Sequence, residues 1–475
     1  MTNTNDTTPK LSKKEEQMRA FILDGSMFQV ILKIGLPIAF FQGVNNLLRV
    51  LDSFMAASID ATAASMVSFF GQINLIIGGL GLGLAVGGSL KISQMYGQGH
   101  YDMVKRQVNS LYFFGVALCS VLALIVLPLT TPVLALLNTP QVFIEQGRTY
   151  FTTEFISTML AFLNGIYVAL ERVQGNTKRI MRVNLMAMCF RLSFTAFSVY
   201  VLHQGVNFIA LSNLLSQLFI FGFGLYSLHG KSQVFSLSPR AISFSRAILW
   251  PMIGISIPIM VERSAFHVGK TIMNGMILFY GPLYIGAAGI SNQICAVTVS
   301  QQMGFQDAGV SVGAQNLGAQ RFGRVIEAFK AIMLINAIQT IIFFIPMFLF
   351  ARQLTGLFAL EDPVFHEILY SVFVLDVWSV LALALYAAVN ALLLGLGYTK
   401  LTLILNFCRV FLFRIPVLWF LQNFTDMQGR AVGFVFVFSN VMVTLVALFM
   451  AGEVLRRFCR KHELSFVSLV RHSST

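Results

Sequence analysis

The sequence predicts an all-α integral membrane protein, with twelve transmembrane helices in two six-helix repeat lobes. Three observations predict it. The chain repeats itself: Leu36-Pro37 recurs as Ile257-Pro258, Gln72-Ile73 as Gln293-Ile294, and Gln94 and Gly97 as Gln315 and Gly318, all at one offset. One residue further along, Gly175-Asn176-Thr177-Lys178 recurs as Gly397-Tyr398-Thr399-Lys400. Hydrophobic residues make up 56% of the chain and charged residues only 11%. A soluble domain carries about 25% charge, so this surface is built to face lipid. Finally, apolar runs of bilayer length, roughly 20 residues, recur through both copies.

Those runs start near Phe28, Ala64, Val108, Tyr150, Val183 and Val206, then near Trp250, Tyr284, Phe329, Ile368, Leu401 and Ala431. Residues 1–27 form a polar segment without the short apolar core and cleavage site of a signal peptide, so the first helix serves as an uncleaved insertion signal. An N-lobe of helices 1–6 covers 28–228, and a linker covers 229–249. The C-lobe of helices 7–12 covers 250–455, followed by a tail at 456–475. Asp362-Pro363 marks one inter-helix break. Most of the 33 basic residues lie in the termini and even-numbered loops. Lys and Arg are retained on the cytoplasmic side, which places both termini there and the chain in the cell (inner or plasma) membrane.

The net charge of +13 is thus a topological signal. No basic stripe interleaved with aromatics points to nucleic acid. Cys119, Cys189, Cys295, Cys408 and Cys459 are scattered singly and read as small apolar residues, without a disulfide framework or metal cluster. There is no Gly-x-x-x-x-Gly-Lys-Ser/Thr loop and no His-Glu-x-x-His, which argues against a nucleotide-driven pump and a zinc hydrolase. Gly79-Leu80-Gly81-Leu82-Gly83 lies in an apolar helix with no strand before it, so it signals close helix packing and not a dinucleotide site. No clustered catalytic constellation appears, and an enzyme is not expected.

Ionisable groups inside a span are costly and mark function by default. The acids are Asp52, Glu154, Glu262, Asp307 and Asp376. The bases in or near spans include Lys33, Arg49, Arg191, Arg263, Lys270, Arg409 and Arg414. Glu154 and Asp376 occupy matching places in the two copies. They are either ion sites or structural anchors, the latter bridged to Arg191 and Arg409. Asp52 either exchanges a cation or is neutralised by Arg49, three residues earlier on the same helix face. Glu262 and Arg263, adjacent on one helix, point apart and need separate partners. Polar contacts to a ligand are expected from Asn46, Gln72 and Gln293, with interhelical hydrogen bonding as the alternative.

Ile34-Gly35-Leu36-Pro37 leading to Val50-Leu51-Asp52-Ser53 resembles the first helix of multidrug and toxic compound extrusion (MATE) transporters. Val312-Gly313-Ala314-Gln315-Asn316-Leu317-Gly318-Ala319 resembles that family's eighth-helix signature. Gly175 to Lys178 and Arg409 to Pro416 add to the match, and Ile257-Pro258 through Glu262-Arg263 to Gly269-Lys270 resembles the DinF-like bacterial branch. The resemblance implies two lobes around a central V-shaped cavity and export of amphipathic, often cationic, compounds in exchange for H+ or Na+. It makes Asp52 the leading coupling residue, with Glu154 and Asp376 behind it. Substrate contacts would come from Asn46, Gln72, Arg191, Glu262, Arg263, Gln293, Arg409 and Arg414. It further implies a monomer whose partners are small-molecule substrates and the bilayer, with no cofactor beyond the coupling ion. Where some relatives carry a fifth-helix Asn and Asp, this chain has Arg191 and Thr195. An export route for organic anions is therefore an alternative. So is flipping of a lipid-linked precursor, for which the arginines would meet phosphate.

Overall fold

The computed structural model describes residues 9–464 except 10, 58–60, 137–138, 140, 230–232, 244, 360–361 and 428, and leaves the side chains of 47–54, 56–57, 61–65, 68, 136, 142 and 146 outside the description. Among the described residues there is no strand. The helices are α1 (Lys13–Asp24), α2 (Met27–Ala57), α3 (Ala61–Gln98), α4 (Tyr101–Val126), α5 (Thr130–Leu136), α6 (Gln141–Val173), α7 (Thr177–Ala196), α8 (Asn207–Leu228) and α9 (Arg246–Ile277). They continue with α10 (Pro282–Gly318), α11 (Phe322–Leu349), α12 (Ala351–Gly356), α13 (Pro363–Asp376), α14 (Ser379–Gly395), α15 (Thr399–Phe407), α16 (Ile415–Phe424) and α17 (Arg430–Lys461). Eleven spans are long and apolar enough to cross a bilayer, and α13 with α14, bent by 41°, makes the twelfth. The chain is a multi-pass membrane protein.

Helix ends repeat as the sequence does. Gly99, Gly175 and Gly397 have φ of +82°, +74° and +85°, and Gln320 takes the same left-handed conformation at +59°. At each, the following amide donates five residues back: His100 to Met95, Asn176 to Glu171, Arg321 to Asn316 and Tyr398 to Leu393. These are Schellman closures, which satisfy the last helical carbonyls and favour glycine because it has no Cβ.

The chain forms two compact units, one of Met1–Asp24 with Leu48–Ser264, the other of Gly25–Leu47 with Ala265–Thr475. Each is built around its own apolar core, with Phe70, Tyr96, Phe151, Phe155 and Tyr167 buried in the first and Leu369, Val372, Ala431 and Val435 in the second. In the first unit a glycine stripe on α3 admits the start of α9. A Cβ on Gly83 would lie 2.5 Å from the Met260 Cα, and one on Gly87 2.5 Å from the Ser256 Cα. The Ser264 hydroxyl donates to the Ile76 carbonyl at 3.0 Å across the same contact. Gly81 faces away from α9, toward Phe162 of α6. The Gly79–Gly83 run is therefore a packing surface, as its setting in an apolar helix predicts.

The second unit uses the repeat-related pair. A Cβ on Gly304 of α10 would lie 2.5 Å from the Ala39 Cα of α2. The opening of each copy's first helix thus packs on the second helix of the other copy.

Polar anchors close the helix ends. Ser12 and Glu15 form a capping box at the start of α1, with the Ser12 amide donating to Glu15 at 2.7 Å and the Glu15 amide to Ser12 Oγ at 3.4 Å. Arg19 of α1 then donates to the Gly97 carbonyl at 2.8 Å. The linker is tied to α4: Asn109 donates to the Ser236 carbonyl, and the Ser110 hydroxyl to the Ser243 carbonyl at 2.8 Å. In the second unit the Asp362 carboxylate caps α13 by accepting from the Val364 and Phe365 amides, with Pro363 at the first helical position. Arg324 Nη2 donates to the Gly25 carbonyl at 2.6 Å.

Candidate functional site

Each unit holds a charged cluster within its spans. In the first, Glu154 of α6 accepts two hydrogen bonds from the Asn213 amide of α8, at 3.0 and 3.3 Å. Arg191 of α7 donates to Asn213 Oδ1 at 3.5 Å. The expected pairing of Glu154 with Arg191 is therefore organised through an asparagine on the sixth helix. Below it in sequence, Thr195 donates to Ser212 at 2.6 Å.

The second unit places an acid, arginines and an asparagine on the corresponding fourth, fifth and sixth helices of its copy. Asp376 ends α13 at the bend, 3% exposed. Its oxygens accept from the Ser291 hydroxyl at 2.7 Å and the Ser379 hydroxyl at 3.0 Å. The expected alternative of a bridge to Arg409 does not form: hydroxyls, not a guanidinium, hold this carboxylate. Arg409 instead donates from Nε to Asn440 Oδ1 at 2.8 Å. Arg414 reaches the same oxygen from Nη2 at 3.2 Å and Ser439 from Nε at 3.1 Å. Aromatic faces complete the setting, Phe266 at 5.3 Å and Tyr386 at 6.0 Å from Arg409, and Phe436 at 5.0 Å from Arg414.

A local backbone feature brings the two arginines together. Residues five apart on an α-helix diverge by about 140°. Cys408–Leu412 is π-helical, and the Phe413 amide donates five residues back to Cys408 at 2.9 Å. The wider turn rotates Arg409 and Arg414 toward one asparagine. Such π-bulges are rare and occur often at functional sites.

The remaining expected residues distribute unevenly. Asp52 lies on helical backbone of α2, but its side chain, like that of Arg49, falls outside the described residues. Asn46 donates to the Ala296 carbonyl of α10 at 2.7 Å, so it ties helices together. Gln42 donates to Asp307 at 3.4 Å in the same unit. Glu262 is buried at 5% exposure, and neighbouring Arg263 has a buried Nε with no hydrogen-bond partner among the described residues. Gln72 is half-buried and Gln293 exposed. Among the described residues no three His, Cys, Asp or Glu side chains could hold a metal ion together. Reading the sequence alone misses Asn213, Asn440, Ser291 and Ser379, because neutral polar residues in a span carry no signal of which charge they meet.

The MatE family model matches the chain twice, over residues 37–197 and 258–420, starting at the two repeated prolines. The chain belongs to the MatE family. It is a transporter and not an enzyme. Among similar MatE-type proteins, a probable multidrug resistance protein of Bacillus subtilis, YoeA, is 22% identical over 82% of this chain and 84% of its own. The Staphylococcus aureus multidrug export protein MepA is 21% identical over 74% and 78%. An outward-facing multidrug resistance MATE transporter of the MOP superfamily superposes with a TM-score of 0.87 at 18% identity, over 94% of this chain and 99% of that one. A Pyrococcus furiosus MOP superfamily transporter, whose binding pocket is described as reversed in polarity, superposes at 0.88 and 18% identity over 94% and 99%.

Proposed function

We propose that this protein exports amphipathic organic compounds across the cell membrane by alternating access, in exchange for inward H+ or Na+, as a monomer with both termini cytoplasmic. The observation that carries the coupling is Asp376. It is a buried carboxylate at the break of a bent span, held by the Ser291 and Ser379 hydroxyls and the Cys295 thiol, with no guanidinium in hydrogen-bond contact among the described residues. Discontinuous helices at membrane depth are where transporters bind coupling ions. A serine hydroxyl both donates and accepts. Ser291 and Ser379 therefore suit the ionised carboxylate, and by turning they suit a protonated carboxyl or lend oxygens to a cation. Glu154 and Asp52 stand as further coupling carboxylates, Asp52 on its first-helix position. The ion must favour one state of the carrier over the other for flux to couple. The Ile257 to Lys270 stretch supports placement in the DinF-like branch.

The test is ethidium export from proteoliposomes under imposed H+ or Na+ gradients. Wild type is expected to respond to one gradient, and Asp376→Asn to lose roughly tenfold or more of the driven flux, since an amide takes up no proton and offers a cation no negative charge. Undiminished flux in Asp376→Asn would remove this residue from coupling and leave Glu154 and Asp52. A second reading, flipping of a lipid-linked phosphate, is favoured by one observation: the fifth helix of the second unit carries two arginines against one acid.

A further inference from the structure

We infer that Arg409, Arg414 and Asn440 form a binding subsite for the anionic group of the transported compound, a carboxylate, sulfonate or phosphate. The inference rests on the reading of the chain as a carrier of small organic compounds and names the chemistry that one site takes.

Arg409 and Arg414 both fall near the middle of the Thr399–Phe424 span, where an uncompensated charge is costly. Charge in the cluster does not balance. Asp376 supplies one negative charge, and Ser291 and Ser379 occupy its oxygens. Arg409 and Arg414 supply two positive charges and meet only neutral acceptors, the Asn440 amide oxygen and the Ser439 hydroxyl. Among the described residues no carboxylate lies within ion-pair distance of either arginine. Among the described residues the Nη1 and Nη2 groups of Arg409 and the Nη1 of Arg414 donate to no protein group, although Arg414 is only 7% exposed. Two forks with open donors, Arg414 buried and Arg409 half-buried, are what bidentate recognition of a carboxylate or phosphate requires.

The cluster of the first unit differs where it matters. There one acid, Glu154, faces one arginine, Arg191, with Asn213 between them. The second unit's cluster has two arginines that share one asparagine oxygen. Its π-helical turn, which sets Arg409 and Arg414 side by side, orients the pair without demanding a charged protein partner. Phe266, Tyr386 and Phe436 against the guanidinium planes offer apolar surface for the rest of an amphipathic anion.

The probe is 5-carboxyfluorescein, bound to the purified full chain and read by fluorescence polarisation, with ethidium export measured on the same preparation in proteoliposomes. Wild type is expected to bind the dye. Arg409→Gln and Arg414→Gln are expected to weaken binding by roughly ten- to hundredfold, the loss of a charge-assisted hydrogen bond. Arg409→Lys should restore part of it, and Arg352→Gln, at an exposed site, none of the loss. Asn440→Asp guards against misfolding of the glutamine variants. It places a fixed carboxylate between the two arginines, should raise thermal stability and should abolish dye binding. Competition by sodium benzoate but not by dihexanoyl phosphatidylglycerol assigns the site to soluble organic anions, and the reverse assigns it to a lipid headgroup; either supports the subsite. Ethidium export without dye binding overturns the inference and leaves the exporter reading intact. Dye binding undiminished in Asn440→Asp also overturns it. Absence of ethidium export under either gradient overturns the exporter reading itself.

Discussion

Asn213 and Asn440 turn isolated charges into clusters. An amide presents a donor to an acid and an acceptor to an arginine, so one side chain on the sixth helix of a copy can address both. Asn213 does this with Glu154 and Arg191, whereas Asn440 spends its oxygen on two arginines. At the same scale, Gln320 holds a left-handed backbone at φ +59° where the first copy has Gly99. A residue with a Cβ pays about 1 kcal/mol there. Gln320→Gly is therefore expected to stabilise by about 0.5–1 kcal/mol and Gly397→Ala to destabilise by a similar amount. Thermal unfolding followed by size-exclusion of the detergent-solubilised protein checks both signs. A lower midpoint for Gln320→Gly would show that its side chain contributes more than the strain costs.

Two elements work by geometry more than by composition. The π-helical turn in the eleventh span gathers arginines that an α-helix would separate. The glycine stripe of α3 lets a neighbouring helix come within backbone contact, which in lipid is the main attraction between helices. Glycines on this one helix should respond oppositely to the same change. A Cβ on Gly83 meets the Met260 backbone at 2.5 Å, whereas one on Gly78 meets nothing within 4 Å. Gly83→Ala is expected to cost about 1–3 kcal/mol through overpacking. Gly78→Ala should be neutral or gain up to about 1 kcal/mol from helix propensity. Folded yield and melting midpoint of the two variants decide it, and equal effects would mean that the α3–α9 contact is looser than described.

For the whole molecule, the repeat and the packing units differ in which residues they join. Gly25–Leu47 packs with the second copy's helices and the stretch up to Ser264 with the first copy's. Each unit thus holds the opening of a helix from the other copy, and α2 and α9 each run from one unit into the other. Cysteines replacing Gly35 and Ala308 test the exchange within the second unit, because the Gly35 Cβ would lie 3.4 Å from the Ala308 Cβ, close to disulfide spacing. After cleavage at a protease site introduced into the 229–249 linker, an oxidised Gly35→Cys/Ala308→Cys chain should run as one band on a denaturing gel. Two bands would show that α2 does not pack on α10.

The repeated prolines, the span-length apolar runs and the low charge fraction determined the class of this protein by themselves. They report a solvent, the bilayer, that dictates helix length and excludes charge whatever the tertiary detail. The sequence also pointed to Glu154, Asp376, Arg191, Arg409 and Arg414, because any ionisable group at that depth stands out against its neighbours. Only the tertiary structure decided the pairings. It showed Asp376 held by Ser291 and Ser379 in place of Arg409, and Asn46 spent on a helix–helix tie. It also showed Arg409 and Arg414 sharing Asn440. The cause is physical: partners of a buried charge come from other helices and are set by rotation about each helix axis. A single π-helical turn shifts that rotation without leaving a pattern in the sequence.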